Sequence, residues 1–581
     1  MNKRRRILLI LIACLAAAIL GFIIRNAFSG GMVLEYVVLS YNPSDSTIQV
    51  RISASNLDPK KNLELYKGGV NYSGMTFEGP SGSDRIMESK NLLLLPTKGS
   101  GRMTLTYAAQ LGELSKHGHR GAVYEDLLAF DGSQALLLPN SAYSLENSGI
   151  KKISVEYHVP PNWTGVVPFP DKKAAGLISS EILNPTWEDL HTIQKCCYAF
   201  GEFTEFSPAE AGGGLQIYLD SGYGRSLTEE DRRGFEGLYA YYRELMGEIK
   251  LPDLKLVLLR AAGDGEKIIG GADVKTIGAT FLPDDKRDWE LLAHRLFHAF
   301  FESNVRYVSF LDAPKLWLYE GLACYYENMS MGSLPASVTA KTGMEGRDPF
   351  LKLFRQYIYM RYKDPYLLTL IPMGEAEYQP MDGLIEFLHY TQAPLTVKAL
   401  EDASFRKSGQ TDAVLGYILK NRDKEEIPIL DIFTYALGDE LDDFAGRYLL
   451  GGETLPLWEL GEGRDENEAD VVSELQELEY TLWTWFTLDD SEYPLDEIDY
   501  ESAIPALKQA EKQDIHFADK PAEEQVRKLS PTVYTLLKAY AYRAHICGIE
   551  YDDPMLRYKL AQEEKLKLWQ AELVRLKTTE R

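Results

Sequence analysis

The chain is short of basic charge, of histidine and of cysteine, and each shortage excludes something. Its 581 residues carry 62 lysines and arginines against 86 aspartates and glutamates, a formal net charge of −24. Such a surface repels the phosphate backbone, so no nucleic-acid partner is expected. The five cysteines are Cys14, Cys196, Cys197, Cys324 and Cys547. They have neither the paired spacing of a zinc ribbon nor that of a disulfide framework, and apart from Cys14 they read as small buried hydrophobes. No internal repeat is present, and no glycine-rich phosphate loop or dinucleotide fingerprint sits at a strand–helix junction. What remains is a globular composition, 45% hydrophobic and 25% charged. The length is enough for several domains at roughly 150 residues each.

One long uncharged run does occur. After MNKRRR comes ILLILIACLAAAILGFII, residues 7–24. At 1.5 Å per residue it reaches about 27 Å, enough to cross a hydrocarbon core. The basic residues at 3–6 favour retention on the cytoplasmic side. The expectation is a single-pass cell-membrane anchor through residues 7–24 in a bacterial protein, with the bulk of the chain extracytoplasmic. The alternatives are a lipoprotein carrying lipid on Cys14, from the box Leu11-Ile12-Ala13-Cys14, and plain secretion.

Past the anchor the pattern is α+β and multidomain. From 32 to 165, segments such as VLEYVVLSY, STIQVRISAS, RMTLTYAAQ and KKISVEYHV alternate apolar with polar or run β-branched, which reads as a β-sandwich-like domain. From 166 to 460 the pattern turns mixed and then helical. TWEDLHTIQKCCYAFGEF has helical spacing, and a helix over SLTEEDRRGFEGLYAYYRELMGEI has a capping-box start at Ser226 and Glu229. LPDLKLVLLRA and KTIGATFL read as strands, and further helices are expected at 288–303, 315–328 and 350–363. GEGRDENEAD, residues 461–470, is a polar acidic linker, and 461–581 is a helical C-terminal region.

The chemistry gathers in LLAHRLFHAFF. His294 and His298 stand four residues apart, so on a helix both face one point. A zinc site wants a third ligand. LWLYEGLACYYEN offers Glu320 in a mostly apolar segment, where an unpaired carboxylate is costly. By itself such a pair also fits two partly buried histidines, and that alternative stays open on spacing alone.

HRLFH followed by WLYEGLACYYE resembles the HExxH…E signature of the gluzincin metallopeptidases. It has the look of the membrane alanyl aminopeptidase-like and glycyl aminopeptidase-like groups, whose second helix reads W-L-x-E-G-[FL]-A-x-Y-x-E. Trp317, Leu318, Glu320, Gly321, Leu322, Ala323, Tyr325 and Glu327 stand in matching places. The helix around Ala240 to Gly247 and the stretch IFTYALGDELDDFAGRYLLGGETLPLWEL extend the likeness over roughly 170–460. The resemblance implies a thermolysin-like gluzincin domain, with one zinc ion held by His294, His298 and Glu320. It makes Glu327 the residue that orients a histidine ligand.

Three departures shape the expected function. The glutamate that serves these peptidases as general base is here Arg295, and a guanidinium cannot accept a proton. The glutamate that grips a substrate amine in a glycine-rich strand has only a loose stand-in, Asp273 in GGADVK. Tyr378 is the positional candidate for the tyrosine that stabilises an oxyanion. The expectation is therefore a catalytically impaired, metallopeptidase-like pseudoenzyme that binds peptide or a protein partner. The alternatives are an active zinc metallopeptidase with a non-standard base and a non-metal scaffold of the same fold.

Overall fold

The computed structural model describes residues 31–546 apart from 80–84, 90, 98–100, 112–120, 144–148, 170, 175, 208–213, 248–253, 261–268, 271–274, 312–314, 347, 364–386, 451–452, 462–465, 488–498 and 518–519. The expected anchor at 7–24 and the lipid-bearing Cys14 lie outside the described residues. Among those that are described, no helix is long and apolar enough to cross a membrane. That finding overturns the single-pass, extracytoplasmic placement. Even the 20-residue helix Glu468–Thr487 carries acidic side chains at 468, 470, 474, 477 and 479.

The chain divides into two compact units, Met1–Arg232 with Leu251–Pro283, and Arg233–Lys250 with Asp284–Arg581. The first is built on sheets. A seven-stranded sheet runs in the order Asp171–Ala174, Leu177–Leu183, Ile150–His158, Met32–Asn42, Thr47–Ser55, Arg102–Gln110, Asn71–Glu78. It does not stop at residue 165, because two more strands add to its edge. Arg102–Gln110 alternates strictly, burying Met103, Leu105, Tyr107 and Ala109. These side chains meet Leu65 and Leu93 of a four-stranded sheet, and Phe130 and Tyr198 of another, in one hydrophobic cluster. Buried tyrosine hydroxyls there are satisfied by backbone: Tyr36 donates to Leu137 O at 2.9 Å and Tyr107 to Ala135 O at 2.7 Å.

Helix α1, Trp187–Lys195, starts at a capping box between Thr186 and Asp189. The helical spacing read through CCYAFGEF does not hold. Cys197–Gly201 is a fully buried strand paired with Leu127–Asp131, since its short apolar run fits a buried strand better than one face of a helix. Cys196 and Cys197 are buried thiols outside any disulfide, as expected. A five-stranded sheet follows, in the order Phe203–Phe206, Leu215–Asp220, Leu254–Leu259, Thr276–Thr280, Ile269–Gly270. Its three inner strands are parallel, and LKLVLL and TIGAT are almost wholly buried, as parallel strands are.

The longer helices that follow are α2 Glu229–Met246, α3 Lys286–Asn304, α4 Leu316–Ser330, α5 Pro349–Lys363, α6 Ala393–Ser408, α7 Ala413–Lys420, α8 Ile429–Leu437, α9 Glu468–Thr487, α10 Tyr500–Lys512, α11 Lys520–Leu529 and α12 Pro531–Ile546. The cap of α2 lies two residues later than the sequence suggested. Thr228 and Asp231 bond each other's backbone N–H, at 2.9 and 3.2 Å, because the aspartate reaches back as a glutamate would. The C-terminal helices pack on α5 through charge. Arg355 forks onto Glu474 with its closest contact at 2.6 Å, half-buried, and Lys363 pairs with Glu479, nearly fully buried. Within that region Glu523 receives Lys538 at 2.9 Å and the Phe517 N–H at 3.0 Å.

Glu401 on α6 caps α7 from outside. Its two carboxyl oxygens accept the Ala413 and Val414 N–H groups at 2.8 and 2.9 Å. Burial pushes its pKa up to about 7, against the pull of those hydrogen bonds. A raised folded-state value means Glu401 contributes most stability below about pH 4.3, its unfolded value, and loses that contribution as pH rises through 7. Glu401→Ala is expected to lower stability by about 1–3 kcal/mol through two lost hydrogen bonds to the start of α7. Glu401→Gln is expected to flatten the fall in urea midpoint between pH 5 and pH 8.

Candidate metal centre

Helix α3 is capped by Asp285, whose carboxylate accepts the Arg287 N–H at 2.8 Å, and it runs without glycine or proline through KRDWELLAHRLFHAFFESN. His294 and His298 therefore share a face. Helix α4 brings Glu320, Cys324 and Glu327 along its own facing stripe at i, i+4 and i+7. Aromatic packing locks the two helices together: Phe297 stacks on Tyr326 with centroids 5.6 Å apart, and Phe301 meets Tyr319 edge-on at 5.6 Å.

Three electron-rich atoms converge between them. His294 Nε2 and His298 Nε2 are 3.0 Å apart, and Glu320 Oε2 lies 3.5 Å from each. Glu327 Oε2 stands 3.1 Å from His294 Nδ1, so the ring donates its N–H there and, in its neutral form, presents the Nε2 lone pair inward. Among the described residues, Glu320 Oε2 and His298 Nδ1 are buried without a hydrogen-bond partner. With the rings unprotonated these lone pairs repel one another, and without a metal only a proton shared among the three groups relieves that. A cation held by all three would do so in its place. Tetrahedral zinc with bonds of 2.0–2.1 Å sets its ligand atoms about 3.3 Å apart, close to this triangle. The residues present fit the metal.

The electrostatics agree. Burial opposes charge on Glu320, yet His298 and His294 hold its carboxyl well below the usual range. Burial pushes His298 down to about 4, with the charges of His294 and Arg295 adding to the effect, so its ring is neutral at neutral pH. Burial also opposes charge on His294, but Cys324, Glu320 and Glu327 raise its pKa well above the usual histidine value. Cys324, with Sγ 3.6 Å from His294 Nδ1, is a second route to a three-donor set with Glu327. Burial lifts its thiol to about 11, however, so it stays protonated and is a poor ligand. Glu327 is further engaged by Arg287 at 3.6 Å.

Arg295 sits on the same turn, one residue past His294 and three before His298. Its side chain is partly exposed, and Nε is buried with no hydrogen-bond partner among the described residues. Glu302, the other carboxylate on α3 near His298, accepts a hydrogen bond from Tyr319 OH, and the Tyr319 ring lies 4.5 Å from that of His298. Asp273 and Tyr378 lie outside the described residues. Sequence reasoning missed Arg287, Cys324, Tyr319 and Tyr390, whose ring centroid is 6.0 Å from that of His294. Cys324 was findable from its spacing between Glu320 and Glu327.

Among solved structures, an aminopeptidase N family protein from Idiomarina loihiensis matches with a TM-score of 0.51 at 14% identity, over 74% of this chain and 77% of that one. The fold is that of the aminopeptidase N family. An M1 zinc metallopeptidase from Deinococcus radiodurans matches with a TM-score of 0.44 at 16% identity, over 73% of this chain and 94% of its own. No family model matches the sequence, and no curated protein does. In this aminopeptidase N-type fold, the mixed α+β organisation read from the sequence is present.

Proposed function

We propose that the chain is a peptidase homologue that holds one zinc ion on His294, His298 and Glu320 and binds peptide without cutting it. The observation that carries the reading is the donor triangle with Arg295 beside it. When bound, zinc in such a site polarises a carbonyl and acidifies a water molecule. Glu327 fixes the tautomer of His294 through the 3.1 Å contact at Nδ1. Arg295 occupies the position from which a proton would have to be taken, and a guanidinium has no lone pair to take it. Glu302 is held by Tyr319, which argues against it as a substitute base.

The test is metal analysis of the purified chain. One zinc per chain is expected, and none in the His294→Ala/His298→Ala variant. Equal metal in both would refute the ligand assignment. Glu327→Ala is expected to keep the ligands but weaken zinc binding about 10–100-fold, the usual effect of removing an orienting carboxylate, read by chelator competition.

A further inference from the structure

We infer that the metal site recognises a carboxylate, with Arg295 as its receptor, so that the peptide it holds is gripped by an acidic group rather than by its amine. The inference rests on the metal reading above and extends it to the class of ligand.

Four observations support it. Arg295 has no carboxylate within ion-pair distance among the described residues, although this chain has an excess of acidic groups. The residue is partly exposed, so a ligand can approach it, while its Nε is already desolvated. A buried donor without an acceptor is costly, and a planar fork pairs best with a carboxylate.

Charge gives the second line. Around the donor triangle stand Glu320, Glu327 and, tied to Tyr319, Glu302, against Arg287 and Arg295. A divalent cation added to this set leaves an excess of one positive charge, or of two if the more distant Glu302 is discounted. A monoanion matches that excess.

The third is geometry. Arg295 is three residues before His298 on α3, so an acceptor bound to it lies beside the face that presents Nε2. The fourth is the protein's own field. At a net charge of −24 the chain repels multiply charged anions, which favours a carboxylate over a phosphate.

The experiment is calorimetric titration of the full-length protein, metal-free and zinc-loaded, with N-acetyl-alanyl-alanine, its C-terminal amide, acetate and inorganic phosphate. The free-acid peptide is expected to bind at least about tenfold more tightly than the amide, as a charge-assisted fork contact implies. Arg295→Gln is expected to abolish that preference while still binding zinc, and Arg295→Lys to retain part of it. Thermal midpoints confirm that both variants fold. A preference that survives Arg295→Gln, no preference in the parent protein, or phosphate binding more tightly than acetate would overturn the inference. Failure to bind zinc at all refutes the metal reading instead, and the metal-free titrations then still decide the role of Arg295.

Discussion

Arg295→Glu is expected to raise peptide hydrolysis by about 10²–10⁴-fold over the parent, the range a positioned general base supplies. The substituted carboxylate would stand three residues before His298 on the same helix, where it can reach a proton on metal-bound water. Arg295→Gln is the control. It removes the positive charge without adding a base, so it is expected to bind zinc more tightly and to hydrolyse peptides no faster than the parent. A gain of activity in both variants would mean that charge, not the absence of a base, limits the site. A gain in neither, with zinc bound, would place the limit elsewhere, for instance at the substrate-gripping or oxyanion positions.

Gly321→Val is expected to damage fold and site together. A Cβ at 321 would lie 2.8 Å from Ala393 Cβ and 3.0 Å from the Ala393 carbonyl carbon, where α4 crosses α6. Neither neighbour is the end of a flexible side chain, so the helices must separate. Overpacking of this kind costs about 1–3 kcal/mol. The displaced residue follows Glu320 directly, so the carboxylate moves with it. Zinc affinity should drop by about tenfold or more, since ligand atoms tolerate only tenths of an ångström. Urea midpoints and chelator competition read the two effects separately. A destabilised variant with unchanged zinc affinity would show that the crossing does not position Glu320.

How much of this was legible in the sequence follows from which contacts are local. The helices carrying His294, His298 and Glu320 were read within two residues of their observed ends, because 3.6-residue periodicity and the absence of breakers act within one segment. The glycine in WLYEGLACYYE was visible as part of a pattern, but its reason, the approach of Ala393 seventy-odd residues later, was not. The CCYAF strand was misread because its neighbour, Leu127–Asp131, is distant in sequence. Arg287 reaching Glu327, and Tyr390 facing His294, are cross-helix contacts that spacing on one helix cannot reveal. The half-buried pair Arg355–Glu474 and the buried pair Lys363–Glu479 escaped notice for the same reason. In the sequence they are ordinary surface charges, and only packing makes them interior.

The most direct test is hydrolysis by the unmodified, zinc-loaded protein, assayed on a mixed peptide pool with and without chelator beside the His294→Ala/His298→Ala variant. The account predicts one bound zinc and cleavage no faster than that of the variant. Chelator-sensitive cleavage that disappears in the variant would contradict it.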